Sequence, residues 1–180
     1  KKIKNVKILE STKFGDRNFI NVLKKIKFDI LCFHSAHAEN YNDDKKFDYK
    51  KSLNENLNNV EDVFSILNEN QRVIISNTVF QNIKYKRYKA VNNYGKSKSK
   101  TYDVFKKFCL KNKIKYKSFY ITNPWGIFEE KKLNYYLIKN WLENKVPIIE
   151  YPRYIRDNIF IDKLSNEYYK LIFSKSEKIE

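Results

Sequence analysis

At 180 residues the chain is long enough for one domain with a sizeable core, and 42% hydrophobic with 16% aromatic content excludes a disordered chain despite 32% charge. No apolar run in these 180 residues approaches a membrane span, and no basic start followed by an apolar core marks a secretory signal. A net charge of +16 raises nucleic-acid binding, but the lysines are scattered, and their abundance beside Asn, Ile and Tyr is the bias of an A+T-rich genome.

In chain order, DRNFINVLKKIK (16–27) places Phe19, Ile20, Leu23 and Ile26 at helical spacing. FDILCFHSA (28–36) is a short continuous apolar run, the pattern of a buried parallel strand. Residues 39–50 are polar and read as a loop. SLNENLNNVEDVFSILNEN (52–70) predicts one helix with Leu53, Leu57, Val60, Val63, Phe64 and Leu67 on its inner face. RVIISN (72–77) is the next buried strand, and 80–93 is a basic, tyrosine-rich loop. YGKSKSKTYDVFKKFCLKN (94–112) predicts a long helix with Tyr102, Phe105, Phe108 and Cys109 inward. KYKSFYIT (115–122) is a third strand, broken by NPWG (123–126). LNYYLIKNWLEN (133–144) and LSNEYYKLIFSK (164–175) read as helices around a short strand at NIFI (158–161).

Helix and strand alternate throughout, which predicts an α/β fold with helices on both faces of a doubly wound parallel sheet. Right-handed crossovers place all the strand carboxyl ends on one edge, where such sheets bind ligands. Cys32 and Cys109 fall in apolar segments and read as reduced core residues, compatible with a cytoplasmic location. There is no methionine and the chain opens on Lys1 in mid-pattern, so the expectation is an internal fragment forming one partial domain over 1–180.

The strand ends collect the polar groups. The first ends at His34, Ser35 and Ala36, the second at Ser76, and the third at Asn123. Tyr94 and Lys98 open the helix after the Ser76 strand, one turn apart. The same spacing recurs at Tyr41/Lys45, Tyr85/Lys89, Tyr102/Lys106 and Tyr135/Lys139, so spacing proves nothing by itself. Only Tyr94 combines a helix start with a neighbouring strand-end serine, which predicts that Ser76, Tyr94, Lys98 and Asn123 converge. Each has a plainer reading: Ser76 bonding backbone, Lys98 as a solvated charge. His34 reads as packing or bonding backbone.

Here the sequence resembles the extended short-chain dehydrogenase/reductase family, the sugar-nucleotide epimerases and dehydratases. FGDRN (14–18) looks like the family's Gly-Asp turn, whose aspartate meets the adenine of the dinucleotide; that role would fall on Asp16, beside Arg17. FDILCFHSA is similar to the strand ending in a His-Leu-Ala-Ala turn beside the cofactor, implicating Ser35, Ala36 and His37. NENLNNVEDVF (54–64) resembles the helix with an early asparagine, here Asn56. VIISNTVF (73–80) looks like the strand end bearing the catalytic serine, Ser76, and YGKSK carries the Tyr-x-x-x-Lys signature. ITNPWGIF (121–128) resembles the segment whose asparagine faces the sugar nucleotide, here Asn123. YIRDNIFIDKL (154–164) is similar to RDYIHVDDLA, whose arginine meets the substrate diphosphate, here Arg156. Seven weak motifs in order, over roughly 14–170, make a strong resemblance.

The resemblance implies a Rossmann-like fold and NAD or NADP as cofactor, also touched by Tyr94 and Lys98, with no metal. It implies a nucleotide-sugar substrate, a substrate-binding region starting at about 123–163, and a homodimer through the 52–70 and 94–112 helices. No nucleic-acid or membrane partner is implied. A free tyrosine has a pKa of about 10, and a lysine one turn away favours the phenolate, the base for a sugar hydroxyl as hydride leaves for the nicotinamide.

The family's Gly-x-x-Gly-x-x-Gly loop has no counterpart, since the 3 glycines are Gly15, Gly95 and Gly126; the chain alone is expected to hold a dinucleotide weakly. His37 stands where the family has a small residue, Lys163 where it has aspartate, and Gln81 where it has glycine. Dehydratases carry Asp-Glu where this chain has Asn77 and Thr78, which favours an epimerase or reductase. The competing readings are a catalytically silent binding or regulatory module on the same fold and a basic nucleic-acid-binding domain.

Overall fold

The computed structural model describes residues 8, 13–81, 89–127, 132–153 and 157–174. These fall into two compact units that divide between Tyr120 and Ile121.

The first unit is α/β. Helix α1 (Arg17–Lys25) starts where the Asp16 side chain caps it, and it ends with Lys24 and Lys25 at the negative end of the helix dipole. Strand β1 (Ile30–Phe33) follows, then α2 (Tyr49–Asn56), capped by Asp48, and α3 (Val60–Ile66). Strand β2 (Arg72–Thr78), the long helix α4 (Asn93–Lys111) and β3 (Lys115–Ile121) complete it. The sheet order is β1-β2-β3, with β1 and β2 parallel and in register from Ile30 opposite Arg72 to Phe33 opposite Ile75. This is the Rossmann-like α/β architecture that the alternation predicts.

The predicted single helix over 52–70 is two helices. Asn59 adopts a left-handed backbone with φ 45° between them. The Asn59 side-chain amide donates to Gly15 O at 2.8 Å, and the Asn58 amide reaches Phe14 O at 3.4 Å. Gly15 has φ 73°, and a Cβ there would collide with the Asn58 carbonyl. The Phe14–Gly15 turn therefore seats in the break, a long-range contact that apolar periodicity does not encode.

One face of the sheet carries the core. Leu31, Phe33, Val73 and Ile75 pack with Phe14, Phe19, Leu23, Val63, Phe64, Phe105 and Cys109, all buried. The rings interlock, with Phe33 and Phe105 centroids 4.5 Å apart and Phe64 edge-on to Phe105 at 5.2 Å. Central β2 is buried along nearly its whole length, whereas β1, at the edge of the sheet among the described residues, alternates. The alternation corrects the reading of Cys32 as a core residue: it is exposed, because Leu31 and Phe33 take the inward positions on a strand of period two. Cys109 is buried, and burial pushes its thiol up to about 12.

In the second unit, β4 (Asn123–Trp125) pairs in parallel with β5 (Asn158–Phe160). Its helices are α5 (Leu133–Leu142) and α6 (Ile161–Phe173). NPWG thus contains a short strand, Asn123–Trp125, and is not only a break; among the described residues its sheet has two strands, which puts Pro124 on an edge strand, where a residue without N–H is tolerated. Trp125 and Phe160 meet edge-on at 4.9 Å.

Candidate functional site

Ser76 sits near the carboxyl end of β2 and is held from both sides. His34 follows β1, and continuing the β1–β2 register by one residue sets it opposite Ser76. Its Nδ1 lies 2.7 Å from Ser76 Oγ. From α4, the Lys98 ammonium donates to Ser76 O at 2.9 Å. Ser76 and Lys98 are each only 4% exposed, which removes the reading of Lys98 as a solvated charge. Burial lowers the Lys98 pKa to about 8, and its Nζ also stands 5.6 Å from the Phe33 ring centroid. His34 turns one edge to Ser76 while the residue as a whole is exposed. Partial desolvation, and then the Lys98 charge, hold its pKa below the ordinary value.

Tyr94 stands one turn before Lys98, on a helix start locked to the end of β2. Asn92 Oδ1 caps α4 by accepting from Gly95 N at 2.9 Å. A Cβ on Gly95 would collide with the Phe80 carbonyl, so glycine at that position lets the helix start close on β2. The Tyr94 ring is half-buried among Tyr41, Phe47 and Phe80, with centroids at 5.6, 5.8 and 6.3 Å. The Tyr41 carbonyl accepts from the Asn92 amide at 2.8 Å, and Asp44 Oδ1 accepts from Asn93 N at 2.6 Å, so the loop after β1 is tied over this helix start. Burial, and then the Tyr41 phenol, raise the Tyr94 pKa. The expected lowering by Lys98 is absent, because the ammonium points to Ser76 O and desolvation dominates at the phenol.

Among the other candidates of the first unit, Asp16, His37 and Asn56 are engaged by the protein itself. Asp16 Oδ1 accepts from Phe19 N at 2.6 Å and Oδ2 from Lys13 N at 3.0 Å, and these backbone bonds lower its pKa. Arg17 and Ser35 are exposed, and Ala36 is half-buried. His37 N donates to Asn56 Oδ1 at 3.0 Å, while its ring meets Glu55 at 3.2 Å and Phe47 at a 6.0 Å centroid distance. Asn56, 3% exposed, donates at 3.4 Å to both Ser52 Oγ and Thr101 Oγ1, and Ser52 Oγ donates to Ser97 Oγ at 3.0 Å. The contact of α2 with α4 is thus polar: Ser52 and Asn56, one turn apart, face Ser97 and Thr101, also one turn apart.

Asn77 donates to Ser118 Oγ on β3 at 2.7 Å, and Thr78 Oγ1 accepts from Phe80 N at 3.3 Å. Gln81, fully buried, accepts from Thr78 N at 3.1 Å through its own side chain. The second unit holds Asn123 at the start of β4, half-buried, with its N–H donated to Asp157 O at 3.1 Å. Arg156 lies outside the described residues. The structure therefore brings Lys98 onto Ser76 from the helix that Tyr94 opens, sets His34, expected to pack or bond backbone, against the Ser76 hydroxyl, and places Tyr41 and Phe47, which motif reading missed, around Tyr94. The equal register of two adjacent parallel strands was the available signal for His34; nothing local announced the aromatic loop.

No family model matches the sequence. No curated protein matches it either. Solved structures do. UDP-glucuronic acid 4-epimerase from Bacillus cereus, crystallised with UDP-glucuronic acid and NAD, matches with TM-score 0.66 and 16% identity over 89% of this chain and 54% of its own. Thermus thermophilus UDP-glucose 4-epimerase with NAD gives 0.65 and 13% over 91% and 59%. The chain has the fold of UDP-sugar 4-epimerases. The Thermotoga maritima UDP-glucose 4-epimerase with UDP-glucose agrees, at 0.63 and 16% over 86% and 56%. The chain thus spans between 54% and 59% of the length of these three epimerases. Among its described residues, no helix is long and apolar enough to cross a membrane.

Proposed function

We propose that this chain is the catalytic portion of an NAD(P)-dependent sugar-nucleotide epimerase or reductase, with Tyr94 as base and Ser76 and Lys98 as its partners. The observation that carries the reading is the grip on Ser76 by Lys98 from the helix that Tyr94 opens. The residues fit a dinucleotide on one further point. Among the described residues the buried Lys98 ammonium has one bonded acceptor, Ser76 O, which leaves two N–H directions for the hydroxyls of a ribose. Ser35, Ala36 and His37 would line the same strand edge, and Asp16 with Arg17, at the start of α1, would meet the adenine end. Bound there, an oxidised nicotinamide supplies the hydride acceptor.

The chain's own part is proton chemistry. Tyr94 withdraws the proton of a sugar hydroxyl, and Ser76 holds the same oxygen. Lys98, with a pKa of about 8, keeps its charge at neutral pH. Asn77 and Thr78, engaged with Ser118 and Phe80, offer no carboxylate for eliminating water, which supports epimerisation or reduction over dehydration. Asn123 and Arg156 are assigned to the nucleotide sugar, and α2, α3 and α4 to a homodimer contact. Location in the cytoplasm belongs to the same reading.

The chain alone is expected to be inactive, so turnover of a UDP-hexose with NAD by the full-length protein tests it. Tyr94→Phe is expected to lower kcat by about a hundredfold or more, the usual worth of a general base; unchanged turnover would remove Tyr94 from this role. The enclosure of Tyr94 by Tyr41, Phe47 and Phe80 supports a second reading, a silent module that binds the dinucleotide without chemistry. Tight NAD binding with no turnover of any nucleotide sugar would favour it.

A further inference from the structure

For Tyr94 to act as the base, its phenol has to lose a proton, and its surroundings oppose that loss: burial, and then the Tyr41 phenol, raise its pKa. The cover comes from three rings that are held with different firmness. Phe80 is fixed to the end of β2, since its carbonyl accepts from Val91 N at 2.9 Å and lies against Gly95. Phe47 is buried, precedes the Asp48 cap of α2 and packs on the His37 ring at a 6.0 Å centroid distance. Tyr41 stands midway along the loop between β1 and α2, in a run of turns where Tyr41 N donates to Ala38 O at 3.2 Å and Asp43 N to Asn40 O at 2.9 Å. Among the described residues two hydrogen bonds tie this loop to the start of α4. Tyr41 O accepts from the Asn92 amide at 2.8 Å, and Asp44 Oδ1, exposed, accepts from Asn93 N at 2.6 Å.

Tyr41 is therefore the ring that can leave without disturbing sheet or helix. We propose that Tyr41 is a positioning residue for the base: while its loop is tied to α4, the ring meets Tyr94 edge-on at 5.6 Å and keeps it as the neutral phenol, and release of the loop makes Tyr94 a competent base. The charged groups of the neighbouring elements are turned elsewhere. The Lys98 ammonium is on Ser76 O at 2.9 Å, Glu55 meets the His37 ring at 3.2 Å behind Phe47, and within the loop Lys46 faces Asp43 at 3.6 Å. Asp44 reaches the helix start through its bond to Asn93 N. The inference rests on the proposed role of Tyr94, but its test reads a titration and not turnover.

Carbon NMR of the ring in tyrosine-labelled chain follows the Tyr94 phenol against pH, and Tyr94→Phe assigns the signal. Tyr41→Ala keeps both ties, because the Tyr41 tie runs through its backbone carbonyl, and should move the Tyr94 titration to lower pH than in wild type. Tyr41→Phe, which keeps the cover and removes the phenol, should move it less. Asp44→Ala, which cuts one tie, should also lower it. Asp44→Asn, whose side-chain oxygen can still accept from Asn93 N, should titrate as wild type does. An unchanged titration in Tyr41→Ala or in Asp44→Ala overturns the proposal. So does Asp44→Asn matching Asp44→Ala, since the charge and not the tie would then be acting. In the full-length protein, the rising limb of kcat/KM against pH, which reports the free enzyme, should move to lower pH in Tyr41→Ala; a limb that stays while the titration moves also overturns it. A Tyr94→Phe variant with full turnover would instead refute the reaction assigned above while leaving the Tyr94 titration to be read directly.

Discussion

The two units of this chain use apolar residues in opposite ways. In the first, buried phenylalanines close on one another: Phe14, Phe33 and Phe105 are in mutual ring contact, and Phe64 packs on Phe105. In the second, α5 buries none of its residues, and Trp141, Leu142, Val146 and Ile148 are 60%, 80%, 91% and 80% exposed. Only Leu164, Leu171 and Ile172 of α6 are buried there. Helical spacing in the sequence is therefore a sound guide to a buried face only where another element supplies the opposite wall. The sheet does so for α4; within the second unit, two three-residue strands do not for α5.

The contrast can be broken first at Phe105, which is fully buried. Phe105→Ala should cost ~3–5 kcal/mol, enough to unfold the first unit, because the sheet, α3 and α4 cannot collapse into the space of one ring. A denaturant midpoint close to wild type would show that the interlocked rings are not what holds this unit. Next in size is Lys98, the charge buried in the same unit. Its pKa falls from 10.5 to about 8 on folding, so below pH 8 both states are protonated and the cost of burying the charge is fully present. Between about pH 8 and 10.5 the unfolded chain binds the extra proton, so stability should rise with pH, by on the order of 3 kcal/mol in all. Lys98→Met should abolish that share of the pH slope, read as the difference between the two unfolding profiles; parallel profiles would mean the ammonium is solvated. The smallest effect belongs to the second unit. Leu142→Lys should change stability by no more than about 0.5 kcal/mol, as for an ordinary surface position. A larger loss would reveal that α5 has a packing partner.

Much of the first unit could be read from the chain. The apolar run of β2 is buried as a central strand, and Phe105 and Cys109 of α4 point inward at their expected spacing. The break between α2 and α3 was not legible, because a one-turn interruption leaves the apolar period intact. Nor was the inner face of α2, where Ser52 and Asn56 are buried while Leu53 is only half-buried; period analysis looks for apolar residues, and here two helices meet through hydroxyls and an amide.

The site divides in the same way. The meeting of Lys98 with Ser76 could be anticipated from residue type, order and place at element ends, and Gly95 beside Tyr94 accounts for the close approach of α4 to the end of β2. What the sequence determined by itself was the alternation of elements and the residue types at their ends, since both follow from local propensity and spacing. Only the tertiary structure decided where those groups point. It turned the Lys98 ammonium to the Ser76 carbonyl, set His34 against the Ser76 hydroxyl and wrapped Tyr94 in Tyr41 and Phe47. Those outcomes depend on strand register and on a loop tied down from 50 residues away, by contacts such as Tyr41 to Asn92 and Asp44 to Asn93, with sequence separations of 51 and 49. Burial of this kind sets the pKa of a phenol or an ammonium, and burial is a property of the fold and not of the residue.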